Sequence, residues 1–450
     1  MTRERFYEER DQRTVEYGVT TDVFARPVGI VVDLAAADSV AGQLATLALV
    51  NMAARIHRGL RLVVPDVPLA VPSLVEASSL PDAVSQLVTE IDPFNDFGMT
   101  HLRPSEMPEV TIGVGPVVGV SHSLSADGYV ATMSKECRDF GHAPSTTVGA
   151  CLAACLGASA LTRLLLGEQV APRRVSMWNF AEGDAAETGS CDAVGPIDIG
   201  SVVSVGAGAV ASALAYWLRY VGVIGDYIFV DGDVVKLHNT NRSLGLLAHH
   251  AGWVGSEPGH EHAYKATAAA SLIGAQSYPD WYDAWVEATE IRHPDLVLPL
   301  ANGPGLRAAV GQRGEPILLH GTTSRAWTAE LHRHLAEGDG CIACRLPETM
   351  NALMACGTSP LPGQEHGNDA ALPFLSGAAG LLVMIGLVHL ANRRLEAFDR
   401  NHWQLHLDLN DRRTVSSRHW SCLATCSLSR NLPRELRRVL PRGTRWAHLD

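Results

Sequence analysis

Three groups of residues in this sequence have the types and spacing to do chemistry. The first begins with Gly206-Ala207-Gly208-Ala209-Val210-Ala211, followed by Asp231 and Asp233, then Asn239 and Arg242, then Lys265. Two glycines at that spacing permit a tight turn and let a phosphate approach the backbone at a helix N-terminus, with Ala211 an allowed replacement for a third glycine. Alone, such a turn is weak evidence, because many strand-to-helix turns use glycine only for packing. Asp231 stands where a ribose hydroxyl would be bound. Acids, an amide and bases gathered beside a phosphate turn suit ATP chemistry, the alternative being a solvated polar loop. Lys265 carries extra weight because the chain holds only three lysines, Lys135, Lys236 and Lys265, against 33 arginines.

The second group is two cysteine clips, Cys341-Ile-Ala-Cys344 and Cys422-Leu-Ala-Thr-Cys426. Four thiolates delivered by two short turns match a tetrahedral structural zinc site. The other reading is one redox-active Cys-x-x-Cys and a coincidental second pair. The third group is Cys356, twelve residues beyond Cys344 in MNALMACGTSPLPGQEHGND. Its Gly, Pro, Asn and Gln predict a mobile loop rather than a core element. Cys151 and Cys155 lie on an apolar helix and read as packing thiols, while Cys137 and Cys191 have no motif and read as structural.

These residues need elements to hold them. From Gly200 a β-branched strand, the glycine turn, an apolar helix and a second strand ending at Asp231 form one strand-helix-strand unit. Residues 27–70 read as a worn copy: a strand GIVVDL, a small-residue turn AAADSVAG without the cradling glycines, a helix QLATLALVNMAARIHRG, and a strand LRLVVPDV with Asp66 near its end. Thr147–Glu168 and Leu375–Glu396 correspond as long apolar helices rich in small residues. A tandem α/β arrangement follows, residues 1–195 a pseudo-nucleotide domain and residues 196–450 an active one. Two unrelated α/β domains are the alternative, since such units are common.

A chain of 450 residues has length for two or three domains, and 46% hydrophobic with 19% charged residues predicts folding by burial rather than disorder. A formal charge of -12 argues against a general nucleic-acid or anionic-membrane binder. The first 25 residues are charged throughout and lack an apolar signal core, so cytoplasmic location and reduced cysteines are expected. Phe374–Leu390 is apolar but short for a bilayer span and predicts a buried helix.

Taken together, Gly-x-Gly-x-x-Ala, Asp-x-Asp, Asn-x-x-Arg and Lys resemble the ThiF family, the adenylating enzymes that activate ubiquitin-like proteins and sulfur carriers. The resemblance implies two Rossmann-like ThiF-type adenylation units in tandem, the first degenerate, with a zinc-clipped crossover loop at 341–372. It implies ATP bound by the Gly206 and Gly208 turn, Asp231 on the ribose, Asp233, Asn239 and Arg242 around the nucleotide, and Lys265 at the triphosphate. Zinc on Cys341, Cys344, Cys422 and Cys426 would tether the C-terminal strands that begin HWQLHLDL, and Cys356 would be the thioester nucleophile. Two departures stand out. The insertion AHHAGWVGSEPGHEH before Lys265 is longer than the family usually has, and the family's magnesium-holding Leu-Asp-Asn run reads Leu300-Ala301-Asn302 here. That leaves Asn302, whose neutral amide is a weaker ligand than a carboxylate, or Asp233 for Mg2+.

Near the N-terminus, the run Tyr7–Arg13 is similar to the segment by which a partner domain reaches the ATP site in this family, which makes Arg10 and Arg13 candidates; a solvated charged helix is the alternative. His332 and His334 read as surface or packing residues rather than ligands, because the cysteines already complete four. The tandem layout resembles the activating enzymes of bacterial ubiquitination-like (Bil-type) operons associated with phage defence. The function implied is adenylation of the C-terminal glycine of a ubiquitin-like protein, thioester capture on Cys356 and transfer to a ubiquitin-conjugating-type enzyme, with no nucleic-acid or membrane partner and with a homodimer open. A sulfur-carrier or peptide-modifying adenylating enzyme, and a nucleotide-binding scaffold without chemistry, are the alternatives.

Overall fold

The computed structural model describes residues 3–13, 21–99, 106–136, 138–190, 195–259, 261–289, 294–301, 306–313, 317–324, 327–335, 339–345, 372–392, 394, 400–409, 413–422 and 426. The architecture is mixed α/β with two large sheets. The first contains β1 (Val28–Val32), β2 (Gly59–Val63), β3 (Asp96–Met99), β4 (Thr111–Val114), β5 (His122–Asp127), β6 (Val130–Ser134) and β7 (Arg173–Ser176), in the order β3-β2-β1-β4-β5-β6-β7. The second begins with β8 (Ile197–Val205) and β9 (Val223–Val230). A short ribbon, β10 (Trp253–Val254) with β11 (Glu257–Pro258), lies in the insertion. Then come β12 (Gln276–Tyr278), β13 (Leu296–Pro299), β14 (Ile317–Ser324), β15 (Thr328–Leu335), β16 (His402–His406) and β17 (Val415–Arg418), giving the order β12-β9-β8-β13-β14-β15-β16-β17.

The two sheets repeat one pattern. Pairings from β3 to β5 are parallel and those from β5 to β7 antiparallel. Likewise, pairings from β12 to β14 are parallel and those from β14 to β17 antiparallel. Central parallel strands buried on both faces read as near-continuous apolar runs, which is why GIVVDL and SVVSV are legible as strands.

Four apolar helices join the sheets in one continuous core: Val40–Ile56, Thr146–Leu165, Ala209–Val221 and Pro373–Ala391. Small residues let them approach closely. A methyl group at Gly380 would sit 2.6 Å from the Leu214 backbone nitrogen, and one at Gly377 would reach Met52 and Cys155 of the first half. Polar bonds cross the same seam: Trp217 Nε1 donates to the Gly377 carbonyl at 2.8 Å, the Ser159 hydroxyl to the Leu407 carbonyl, and His389 Nε2 to the Met177 carbonyl at 3.0 Å. Thr146–Leu165 and Pro373–Ala391 are long and apolar enough to cross a membrane by length and composition. Their apolar windows are 89% and 94% buried inside the protein, so they pack as core helices.

One local reading needs correction. The turn after β1 is wound into a short helix, Leu34–Ala37, capped by the Asp33 carboxylate accepting from the Ala35 N–H at 2.8 Å. Ala residues favour that winding, and the next helix then packs on it, since a methyl at Gly42 would meet the Ala36 carbonyl at 2.1 Å. Of the two readings for His332 and His334, packing holds: both are buried on the inner strand β15 of the second sheet.

Candidate functional site

At the C-terminal ends of β8, β9, β13 and β14 lies a cavity of about 470 Å³. Strand order reverses between β8 and β13, and such a switch point is where open α/β sheets bind ligands. Gly206 has φ +99°, and a methyl there would lie 2.6 Å from the Ala301 nitrogen, so the turn and the end of β13 can touch only with glycine at 206. Gly208 caps the helix Ala209–Val221 at φ -73°, and a side chain there would project into open space. Asp231 closes the turn: its carboxylate accepts from the Ala207 N–H at 2.7 Å and from the Asp233 N–H at 2.9 Å. Burial raises its pKa, opposed by those two bonds and by Lys265. Each oxygen keeps further acceptor capacity for a ligand.

Asp233, Asn239, Arg242 and Lys265 border the same cavity. Lys265 opens the helix Lys265–Ser271, its Nζ 2.6 Å from the Asp233 carboxylate and its backbone N–H donating to the Asp233 carbonyl at 2.9 Å. The Asn239 side-chain oxygen Oδ1 accepts from the Lys236 N–H at 2.8 Å, which leaves the side-chain NH2 group for the cavity. Arg242 donates to the His238 carbonyl at 2.8 Å. Ala301 lines the cavity, whereas Asn302 lies outside the described residues. Sequence reasoning passed over Arg307, Trp281, Asp283, Thr322 and Thr323, which also line the cavity. The position of Arg307 just beyond the end of a parallel strand was the available signal.

The two cysteine clips come together. Sγ atoms of Cys341, Cys344, Cys422 and Cys426 all lie within 4.8 Å of one another, with Cys341 and Cys426 at 3.5 Å. A zinc ion with bonds of about 2.3 Å needs sulfurs roughly 3.8 Å apart, so the set fits. Backbone N–H groups of Cys341 and Cys344 donate to the sulfurs of Cys422 and Cys341, a pattern that favours thiolate. Burial pushes the Cys341 thiol up, and the neighbouring thiols add to it. Cys356 lies outside the described residues, as do Cys137 and Cys191; Cys151 and Cys155 are fully buried.

Beside the clips is a buried ionic network. Glu330 accepts from His332 Nε2 at 3.1 Å, His402 Nε2 at 3.0 Å, Arg345 at 3.2 Å and Gln404 at 2.9 Å. Burial pushes its pKa up, but the hydrogen bonds from His332 and His402 outweigh that and hold it below the usual range. Arg345 and Arg418 donate to Nδ1 of His332 and His402 respectively, fixing both as neutral rings with the proton on Nε2. Although these side chains are close enough to hold a metal, ligation through Nε2 would move each proton onto the nitrogen that faces an arginine donor.

Arg10 does not reach the cavity. It is fully buried, paired with Asp92 at 2.6 Å and with Asp11 at 2.6 Å, because Phe6 and Tyr7 dock the first helix, Arg3–Arg10, on Trp253 and its neighbours and turn the guanidinium the other way. The Arg13 side chain lies outside the described residues.

Comparison with curated proteins gave no match. Among solved structures, Escherichia coli MccB with ATP aligns over 70% of this chain and 99% of its own at 12% identity and a TM-score of 0.37. E. coli MccB with MccA-N7isoASN aligns over 51% and 67% at 13% and 0.37. Selenomethionine PaaA aligns over 49% and 64% at 14% and 0.33. The expected likeness to Bil-type ThiF proteins is met in the first half, where residues 27–180 match the family model of the BilD N-terminal domain.

Proposed function

We propose that this chain is an ATP-dependent adenylating enzyme that activates the C-terminal glycine of a ubiquitin-like protein, built from a degenerate unit in residues 1–195 and an active one in residues 196–450. The observation that carries the reading is the convergence of Gly206, Gly208, Asp231, Asp233, Asn239, Arg242 and Lys265 on one cavity at the switch point of the second sheet. The first sheet has the short helix Leu34–Ala37 where a phosphate turn would be.

In this reading Asp231 holds the ribose, the N–H groups at the start of the helix Ala209–Val221 face the phosphates, and Asn239, Arg242 and Lys265 oppose their charge. The carrier's terminal carboxylate attacks the α-phosphorus, a bond to the carboxylate oxygen forms, and the α–β phosphoanhydride bond breaks to release pyrophosphate. Fixed cations at the triphosphate stabilise the charge that develops. With three N–H donors, Lys265 Nζ can keep its bond to Asp233 and still donate to the triphosphate, and Asp233 would offer its other oxygen to Mg2+ in place of the carboxylate that Ala301 lacks. The Cys356 thiolate then attacks the acyl carbon, AMP leaves, and the thioester passes to the thiol of a conjugating enzyme. Zinc on the four cysteines would tie the base of the 341–372 segment to the last strands.

ATP–pyrophosphate exchange tests the reading. It is expected only with a partner ending in glycine, and Arg242→Ala should lower it about 10²- to 10³-fold, the usual loss for one preorganised donor. Undiminished exchange in that variant rejects the site. In Cys356→Ala the thiol-sensitive conjugate should vanish while exchange persists; normal charging of a conjugating enzyme by that variant rejects the nucleophile. Tight ATP binding with no exchange for any carrier favours a scaffold, and exchange with a short peptide alone favours a peptide-modifying enzyme.

A further inference from the structure

The helix Val40–Ile56 belongs to the first half, yet two of its buried side chains bond to the loop that edges the cavity in the second. The fully buried Arg55 guanidinium donates from Nε to the Asn51 side-chain oxygen at 2.7 Å. Its Nη1 donates to the carbonyls of Thr240 and Leu246, the latter at 2.8 Å, and Nη2 to that of Leu244 at 2.9 Å. Asn51 Nδ2 adds a second bond to the Leu244 carbonyl at 3.1 Å. Burial pushes the Arg55 pKa down to about 9, which still leaves it charged at neutral pH. Among the described residues it forms no ion pair. A buried cation satisfied by one amide oxygen and three carbonyls of a single loop is a costly device where an apolar residue would pack more simply.

What the loop does gives the device its purpose. Asn239, Arg242, Ser243 and Leu246 border the cavity, and the carbonyls held by Arg55 are interleaved with them at 240, 244 and 246. Residues 241–247 have no helix or strand of their own, so their carbonyls must find partners elsewhere.

We propose that Arg55 and Asn51 are positioning residues for the nucleotide pocket: the first half, which has no phosphate turn after β1, clamps the phosphate-side loop of the second. The role rests on the nucleotide reading above. It explains how a degenerate unit can be needed by its active neighbour without touching the nucleotide.

Amide hydrogen exchange and ATP affinity, measured on the full chain, test the clamp. Arg55→Met keeps the length and removes the donors. It should remain folded, lose protection across residues 240–247, and bind ATP about 10- to 100-fold more weakly, the cost of misplacing a binding group by roughly 1 Å. Arg55→Lys should restore part of both. Gln43→Leu is the control, since Gln43 is equally buried on the same helix but bonds only to Ala37, Pro68 and Ala70 of its own half; it should leave the loop and ATP affinity unchanged. If Arg55→Met does not fold, Asn51→Ala, which removes one loop bond and the brace on Arg55, should give the same pattern at smaller amplitude. Wild-type exchange and affinity in folded Arg55→Met, or in Asn51→Ala where Arg55→Met fails, overturn the clamp. Loss of loop protection matched by Gln43→Leu also overturns it. Failure of the wild-type chain to bind ATP overturns the nucleotide reading and the clamp's service to it, while the exchange data still decide whether Arg55 holds the loop.

Discussion

At the scale of single residues, the two glycines of the turn do different work, and substitution separates them. Gly206→Ala forces a methyl to within 2.6 Å of the Ala301 nitrogen at a φ of +99°. Strain of that kind costs about 1–3 kcal/mol before the clash is counted, so the variant should lose thermal stability whether or not nucleotide is present. Gly208 has an ordinary φ and open space around it. Gly208→Ala should therefore keep its melting temperature but weaken ATP binding, since the methyl stands where a phosphate would approach the backbone. Thermal melts with and without ATP check both; equal stability loss in the two variants would place the turn's glycines in packing alone. Asp231 adds a second residue-scale point: a carboxylate that closes the turn through two backbone N–H groups is structural before it is ligand-binding.

At the scale of elements, the cysteine clips and the Glu330 network act as one fastening. Arg345 follows Cys344 directly and Arg418 precedes Cys422 by one short step, so each clip carries an arginine into the network around Glu330 on β15. Cys422→Ser should abolish a stoichiometric zinc and lower stability, and metal analysis with a melt checks it; unchanged zinc content rejects the four-cysteine site. Glu330→Gln removes the one carboxylate that Arg345, His332 and His402 share, and a broken buried network of this kind costs about 3–5 kcal/mol. Its folded fraction in urea should fall accordingly, with zinc retained. Here the limits of the sequence are physical. Cysteine spacing announces the clips because ligand chemistry fixes it. The network was hidden because His332, His402, Gln404 and Arg418 meet only through cross-strand register, which local patterns do not encode. The turn after β1 misled because AAADSVAG suits a loop and a helical turn equally, and tertiary packing decided. Arg10 misled because a charged run of residues gives no hint that Asp92 waits across the core.

At the scale of the whole molecule, burying neutral histidines makes the joined halves sensitive to acid. His57 in the first half, His250 in the insertion and His389 on the helix that crosses between halves are all enclosed, and burial pushes them down to about 3, 4 and 4. His250 accepts the Leu247 N–H through Nδ1, and His389 holds the Met177 carbonyl through Nε2. A histidine depressed in the folded state takes its proton only on unfolding, so its stability is fully present above about pH 6.5 and is lost as pH falls toward the folded value. Each such group contributes a slope of up to about 1.4 kcal/mol per pH unit, and His122, His320, His332, His334 and His402, also lowered by burial, act in the same direction. Asp231 and Asp92, raised by burial, work in the opposite direction but are outnumbered by the buried histidines. The melting temperature should therefore drop steadily between pH 7.5 and 5.0 at constant ionic strength. His57 is the best single probe, because among the described residues neither ring nitrogen has a hydrogen-bond partner and replacement by Phe removes the titration without breaking a bond. His57→Phe should flatten the profile by one group's share, up to about 1.4 kcal/mol per pH unit. A melting temperature independent of pH over that range, or a His57→Phe profile parallel to the wild type, would mean that the buried imidazoles are not held neutral by the fold.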